Sequence, residues 1–338
     1  MTSWIRRLPK VELHVHLDGS LRMKTVRQWA RELPPDKRFA NARALRKAVI
    51  PSGASGLEEY LKAFDVTVAL LQTPDRLRQA AYELCEDAAA ENVVYIEIRF
   101  APLLHTEENL NPREVVLAVL RGLQEAKAAF GIEARLILSA MKQAPTEDSM
   151  EVAQLAAQFG GKGVVAMDLA GPERLYPPQM HRDAIDLARE SGVHVTIHAG
   201  EGCCPEQIRT AIDLGAERIG HGVHLFQAPE TEKRVAKLGI PLEMCPTSNL
   251  QVSGCIESYA AHPFKRYSDL GIPVTINTDN RLMSQITLTH EYQALQEAFS
   301  FTRDDIRRFI ENGIAAAFAP DELKASLHQR VEQAFAAL

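Results

Sequence analysis

No uninterrupted apolar run in this sequence approaches the roughly 20 residues of a membrane-spanning helix, which excludes a helical membrane protein. Positive charge is not in excess: 38 Lys and Arg stand against 44 Asp and Glu, a net charge of −6. The basic footprint needed for nucleic acid or an anionic membrane surface is therefore missing. Cysteine is scarce, and Cys85, Cys203, Cys204, Cys245 and Cys255 include no Cys-x-x-Cys. An odd count without that spacing argues against a disulfide framework and against a thiolate zinc knuckle. A reduced, cytoplasmic compartment is expected, with Cys203 and Cys204 read as two small loop residues. The chain passes through Arg6-Arg7 into its first strand with no apolar stretch between, so no signal peptide is expected. Neither G-x-G-x-x-G nor G-x-x-x-x-G-K-[ST] occurs, and no segment is of low complexity.

What is present is an ordinary globular composition, 46% hydrophobic and 24% charged over 338 residues, enough chain to bury a large core. Eight short apolar runs read as strands: Val11–Leu17, Val93–Phe100, Glu133–Ser139, Val164–Leu169, His194–His198, Arg218–His221, Ile240–Cys245 and Ile272–Asn277. They are mostly apolar on both faces, as strands covered by helices must be. Helix-start signals such as Thr73-Pro74-Asp75 and Asn111-Pro112-Arg113-Glu114 open the stretches between them. This rhythm predicts a single α/β domain over 1–338, a (β/α)8 TIM barrel, with an open doubly wound sheet as the rival. The interval after strand one is unusually long and predicts a helical insertion over about 22–92, with loops at Pro34-Pro35-Asp36 and Pro51–Gly56. Within it Leu57, Tyr60, Leu61, Phe64, Val68 and Leu71 recur at helical spacing. Such a stripe serves as core or, at the carboxyl end of a barrel, as the roof of a pocket.

Polar residues gather at predicted strand ends. His14 and His16 close the first strand, and side chains two apart on a strand share a face. Alone, such a pair reads more readily as a hydrogen-bonded polar patch than as half of a metal site. Asp168 and Gly171 follow the fourth strand, His198-Ala199-Gly200-Glu201 the fifth, Gly220-His221-Gly222 the sixth and Asn277-Thr278-Asp279-Asn280 the eighth. A barrel brings all these ends to one rim. His14, His16, His198 and Asp279 then make a nitrogen-rich shell suited to Zn²⁺ with a position left for water. Asp168 is the one candidate for bridging a second ion, so one Zn²⁺ per chain is expected. Glu201 is expected as a proton shuttle and His221 as a base or electrostatic stabiliser. His105, His181, His224, His262, His290 and His328 are read as structural, and His194 as lying at the opposite rim.

Taken together, His14-Val15-His16-Leu17-Asp18-Gly19-Ser20, Asp168-Leu169-Ala170-Gly171, His198-Ala199-Gly200-Glu201, Gly220-His221-Gly222 and Asn277-Thr278-Asp279 resemble the adenosine deaminase family of the amidohydrolase superfamily. The resemblance covers nearly the whole chain. It implies a mononuclear zinc barrel that hydrolyses adenosine and 2′-deoxyadenosine to inosine and 2′-deoxyinosine with loss of ammonia. By that resemblance His14, His16, His198 and Asp279 hold the zinc, Glu201 protonates N1, and His221 and Asp279 orient the attacking water. Gly171 is expected to meet the purine through its backbone, and Asp18 the ribose. His16 and Asn280 also face substrate, and Leu57, Tyr60, Leu61 and Phe64 wall an apolar subsite. Asn280 stands where relatives often carry an aspartate; its amide can donate to purine N7 directly. Pro172 stands where many relatives carry an acid. The runner-up substrate is a modified nucleoside such as 6-aminodeoxyfutalosine of menaquinone biosynthesis, with free adenine behind it. The expected partner is a small purine nucleoside, with no nucleic acid and no membrane; nothing decides the oligomeric state.

Overall fold

The computed structural model describes residues 4–33, 41–51, 56–107 and 109–338; the loops expected at Pro34-Pro35-Asp36 and at Ser52–Ser55 lie outside them. Eight strands form one parallel sheet in sequence order: β1 Lys10–His16, β2 Val93–Phe100, β3 Glu133–Met141, β4 Val164–Ala170, β5 His194–Ala199, β6 Arg218–His221, β7 Leu242–Met244 and β8 Val274–Ile276. All lie within two residues of the expected bounds. The sheet curls back on itself beyond β8, where Asp279 bridges Val15. There the His16 N–H donates to the Asp279 carbonyl at 2.7 Å and the Asp279 N–H to the His14 carbonyl at 3.0 Å. The Asn277 side chain adds a third tie, accepting from the Leu13 N–H at 2.8 Å. The barrel is thus closed by the two segments that carry three of the expected zinc ligands.

The covering helices begin where the sequence signals them. Asn111 caps Pro112–Phe130 in a reciprocal box with Glu114, and Thr73 accepts from the Arg76 N–H at 3.4 Å to cap Pro74–Ala89. These two helices pack side by side over β2 and β3. Gly122 permits the approach, since a Cβ there would lie 2.3 Å from the Arg78 carbonyl oxygen. Only part of the interval 22–92 therefore serves as an insertion over the barrel mouth: Pro74–Ala89 belongs to the outer ring. The apolar stripe also differs from a single helix. It breaks into Leu57–Leu61 and Phe64–Leu70, with Leu57, Tyr60 and Ala63 packed on Val252 and Met283 rather than on the main core.

Cys203 and Cys204 lie in a loop as expected, but their sulfurs are joined, a vicinal disulfide the sequence reading did not anticipate. Cys85, Cys245 and Cys255 are free. Among the described residues no helix is long and apolar enough to cross a membrane.

Candidate active site at the carboxyl rim

The rim collects the polar strand ends around one point. His16 Nε2 lies 3.3 Å from His198 Nε2 and 3.3 Å from Asp279 Oδ1, and His14 Nε2 lies 3.5 Å from the same oxygen. Two strand ends turn sharply to achieve this: His221 and Asp279 adopt φ of +62° and +61°, a conformation costly for residues with a Cβ. Gly220 clears the space between strands, because a Cβ there would meet His198 Cα at 3.1 Å and His14 Cε1 at 3.2 Å.

Two of the rings, His14 and His198, are held from behind. Glu243 Oε2 sits 2.8 Å from His14 Nδ1, and Asp168 Oδ1 sits 2.9 Å from His198 Nδ1. A carboxylate accepts only, so both Nδ1 atoms carry hydrogen and both Nε2 lone pairs point to the shared centre. His14 Nε2 is buried and has no partner. Ser248 Oγ donates to Asp279 Oδ2 at 2.6 Å, leaving Oδ1 to face the histidines. Asp168 spends its other oxygen on Ser139 Oγ at 3.0 Å and faces Arg99 Nη1 at 3.5 Å. Both of its oxygens are thus held by groups of the protein. Burial alone would raise its pKa, but His198 and Arg99 hold the Asp168 carboxyl well below the usual carboxylate range.

Glu201 is buried with its Oε1 3.6 Å from His221 Nε2, which has no hydrogen-bond partner. Burial, followed by the charges of Asp279 and Glu173, pushes the Glu201 carboxyl well above its ordinary range. Burial also keeps His14, His16 and His221 neutral. A cavity of about 540 Å³ opens beside this cluster. His16, Asp18, Gly171, His198, Glu201, Asp279 and Asn280 line its polar side, and Leu57, Tyr60, Leu61 and Phe64 its apolar wall. His14 and His221 lie fully buried behind that lining.

Several residues at this site went unnoticed in the sequence. Glu173 accepts from the N–H groups of Gly200, Gly202 and Cys203 at 2.8, 2.8 and 3.0 Å and so clamps the turn that carries Glu201. Lys142 Nζ donates to the His198 carbonyl at 2.7 Å from the end of β3. Glu243 and Ser248 had no motif around them to flag their roles. Of the histidines read as structural, His105 places Nε2 3.9 Å from Asp18 Oδ2, and His262 is hydrogen-bonded to Asn249 beside His221. Asp18 Oδ1 is buried without a partner, and burial lifts that carboxyl to about 7. His194 does lie at the opposite rim, paired with Glu217 at 2.9 Å.

A closed parallel barrel with imidazoles and carboxylates pooled at its carboxyl end has the make-up of a metal-dependent barrel enzyme, with its candidate site where barrel enzymes carry theirs. The profile of the adenosine deaminase family matches residues 9–334. An adenosine deaminase of Clostridium acetobutylicum is 41% identical over 330 residues, covering 97% of this chain and 98% of that one. Among solved structures, Arabidopsis ADAL complexed with IMP superposes with a TM-score of 0.89 at 30% identity, covering 98% of both chains. An amidohydrolase from Burkholderia ambifaria with bound Zn superposes with a TM-score of 0.87 at 27% identity, covering 98% of this chain and 94% of that one. The chain belongs to the adenosine deaminase family.

Proposed function

We propose that this protein hydrolyses adenosine and 2′-deoxyadenosine to inosine and 2′-deoxyinosine, releasing ammonia. The observation that carries the reading is the convergence of His14, His16, His198 and Asp279 at the wall of a purine-sized cavity: His16 Nε2 lies 3.3 Å from both His198 Nε2 and Asp279 Oδ1, and His14 Nε2 lies 3.5 Å from that oxygen. Ligand atoms on a tetrahedral ion with bonds of about 2.0–2.1 Å stand about 3.3–3.4 Å apart, and these three separations, with a nitrogen-rich donor set, suit one Zn²⁺. The unpartnered His14 Nε2 supports the same conclusion. When bound, the ion supplies a Lewis acid that activates water at neutral pH.

The protein's own groups supply the rest. Asp279, held through Oδ2 by Ser248, turns Oδ1 to the histidines, where it would join them on the ion and stand beside the attacking water. Glu201, protonated by its burial, gives a proton to N1 as the ring carbon becomes tetrahedral. Gly171, with φ of +102°, turns its peptide to the cavity to meet the purine, and Asp18 meets the ribose. Helix Leu57–Leu61 and the start of Phe64–Leu70 form a lid whose apolar face excludes water from the purine.

Charge favours a nucleoside over a nucleotide. Beyond Asp18, the cavity lining among the described residues carries Glu58, Asp65 and Glu107 against one cation, Lys62, which is paired with Glu59. A 5′-phosphate would enter like charge, with no arginine among the described lining residues to receive it. Nothing favours 6-aminodeoxyfutalosine over adenosine.

Ammonia release from a substrate panel tests the reading. Adenosine and 2′-deoxyadenosine should react comparably, and AMP, adenine and 5′-modified analogues at least about 10²-fold more slowly in kcat/KM. Faster turnover of any of the latter three overturns the substrate assignment. Chelation should abolish activity and Zn²⁺ restore it at one ion per chain; two ions would overturn the mononuclear site.

A further inference from the structure

His262, on the loop before the short helix Phe264–Asp269, begins a chain of hydrogen bonds that ends on His221. The first link is unambiguous. The Phe264 backbone N–H can only donate, and it lies 3.2 Å from His262 Nδ1, so that nitrogen holds the lone pair. His262 is buried, and burial holds its pKa down to about 3, so the ring is neutral and its hydrogen is on Nε2. That hydrogen points at Asn249 Oδ1, 3.2 Å away. The amide of Asn249 is thereby oriented: its carbonyl faces His262 and its NH2 faces His221, with Nδ2 3.1 Å from His221 Nδ1. His221 Nδ1 must accept. A doubly protonated His221 would set two donors against each other at that contact.

We propose that Asn249 and His262 are positioning residues that fix His221 with its hydrogen on Nε2. His221 is then a hydrogen-bond donor toward the reacting oxygen, rather than a base or a metal ligand. The assignment rests on the deaminase reading above and sharpens it. It separates two groupings of side chains that distance alone leaves open. His14, His198 and His221 bring ligand atoms within 4.8 Å of one another, as do His14, His16 and Asp279. Behind His14 and His198 stand the carboxylates of Glu243 and Asp168, which require hydrogen on Nδ1 and free Nε2 for an ion. Behind His221 stands an amide donor, which requires the reverse. The partner behind each ring thus decides what the ring can do in front. His221 Nε2, buried and unpartnered 3.6 Å from Glu201 Oε1, presents its hydrogen to the space between Glu201 and Asp279. There it can hold the oxygen that attacks C6 and stabilise the negative charge developing on it.

Ring-¹⁵N histidine spectra of the zinc-free and zinc-loaded protein, with His221 assigned by its loss in His221→Gln, read the tautomer directly. Hydrogen on Nε2 is expected in both states; hydrogen on Nδ1 overturns the proposal. Asn249→Asp replaces the donor by an acceptor and should move the hydrogen to Nδ1. It should lower kcat by about 10²–10³-fold, with KM within about threefold and zinc content unchanged. His262→Leu frees the amide to turn and should lower kcat about tenfold. His262→Gln, whose amide N–H can still reach Asn249, should restore most of it. Asn249→Asp with wild-type kcat, or His262→Leu and His262→Gln behaving alike, overturns the relay. If Asn249→Asp fails to fold, the wild-type spectrum and the His262 pair still decide. Wild type inactive on adenosine would sink the substrate reading alone, since the spectra need no substrate.

Discussion

Two clusters of buried charge share the barrel interior, and they follow opposite rules. Toward the amino ends of the strands, Arg218 donates to Glu243 Oε1 and to Glu97 Oε2 at 2.6 Å each and to the Ala316 carbonyl at 2.8 Å, with its guanidinium 3.7 Å over the Phe318 ring. Glu97 Oε1 accepts from Tyr95 Oη at 2.8 Å and from the Phe318 N–H at 2.6 Å. The carboxylates and Arg218 are fully engaged. At the carboxyl end, His14 Nε2, His221 Nε2, Asp18 Oδ1 and Asn280 Oδ1 are buried without partners. Each such orphan costs about 1–3 kcal/mol if nothing arrives to satisfy it. The carboxylates and the guanidinium of the lower cluster satisfy one another, whereas the upper cluster leaves side chains at and behind the cavity wall unpaired.

Glu243 belongs to both clusters: Oε1 takes Arg218, while Oε2 takes Arg99 at 2.7 Å and His14 Nδ1 at 2.8 Å. Its removal should have the largest effect of any single change. Glu243→Ala leaves two guanidiniums buried without their carboxylate and should cost about 3–5 kcal/mol in urea unfolding. It also removes the group that orients His14, so zinc affinity should fall about 10–100-fold. A loss below about 1 kcal/mol would mean the lower cluster is not one unit, and the contrast would fail. Glu201→Gln probes the other side. It should lower kcat by about 10²–10⁴-fold while leaving thermal stability unchanged or slightly raised, because the carboxyl it replaces has no hydrogen bond to lose. A drop in stability comparable to that of Glu243→Ala would show that the upper cluster is structural after all.

How much of this was legible in the sequence follows from the same division. The strands could be read because buried parallel strands need apolar runs on both faces, and the upper cluster because its residues sit at strand ends inside short motifs. The supporting groups left no such trace. Glu173 stands within a stretch whose notable residues were Asp168 and Gly171, and nothing local says that its carboxylate reaches three N–H groups some thirty residues away. Arg99, Arg218 and Glu243 lie inside strands, where a charge reads as an interruption until its partner on another strand is known. His262 looks like any loop histidine until Asn249 and His221 are brought beside it by β6 and β7. The broken stripe at Leu57–Leu70 fails for a different reason: its apolar spacing records which residues are covered, and continues through a two-residue break between helices.

A further effect concerns an acid that fits neither cluster. Glu291, fully buried on helix Leu288–Phe299, has no cation beside it; both its oxygens lie 3.3 Å from the Thr247 N–H, at the start of the helix that carries Ser248 and Asn249. Burial pushes its carboxyl up to about 8, the Thr247 hydrogen bonds oppose that, and the charges of Glu12 and Asp279 add to it. The folded-state pKa exceeds the unfolded value of about 4.3, so the folded protein holds a proton that the unfolded chain releases. The resulting stability is fully present below pH ~4.3 and is lost as pH rises through about 8. Glu291→Gln keeps the shape without the titration. Between pH 5 and 8, wild type should lose about 2–4 °C in Tm relative to the variant for each kcal/mol of this linkage. Parallel Tm profiles across that range would mean the carboxyl ionises as freely as in water, and that a cation or solvent reaches it; a variant profile that falls more steeply than wild type would reverse the sign of the argument.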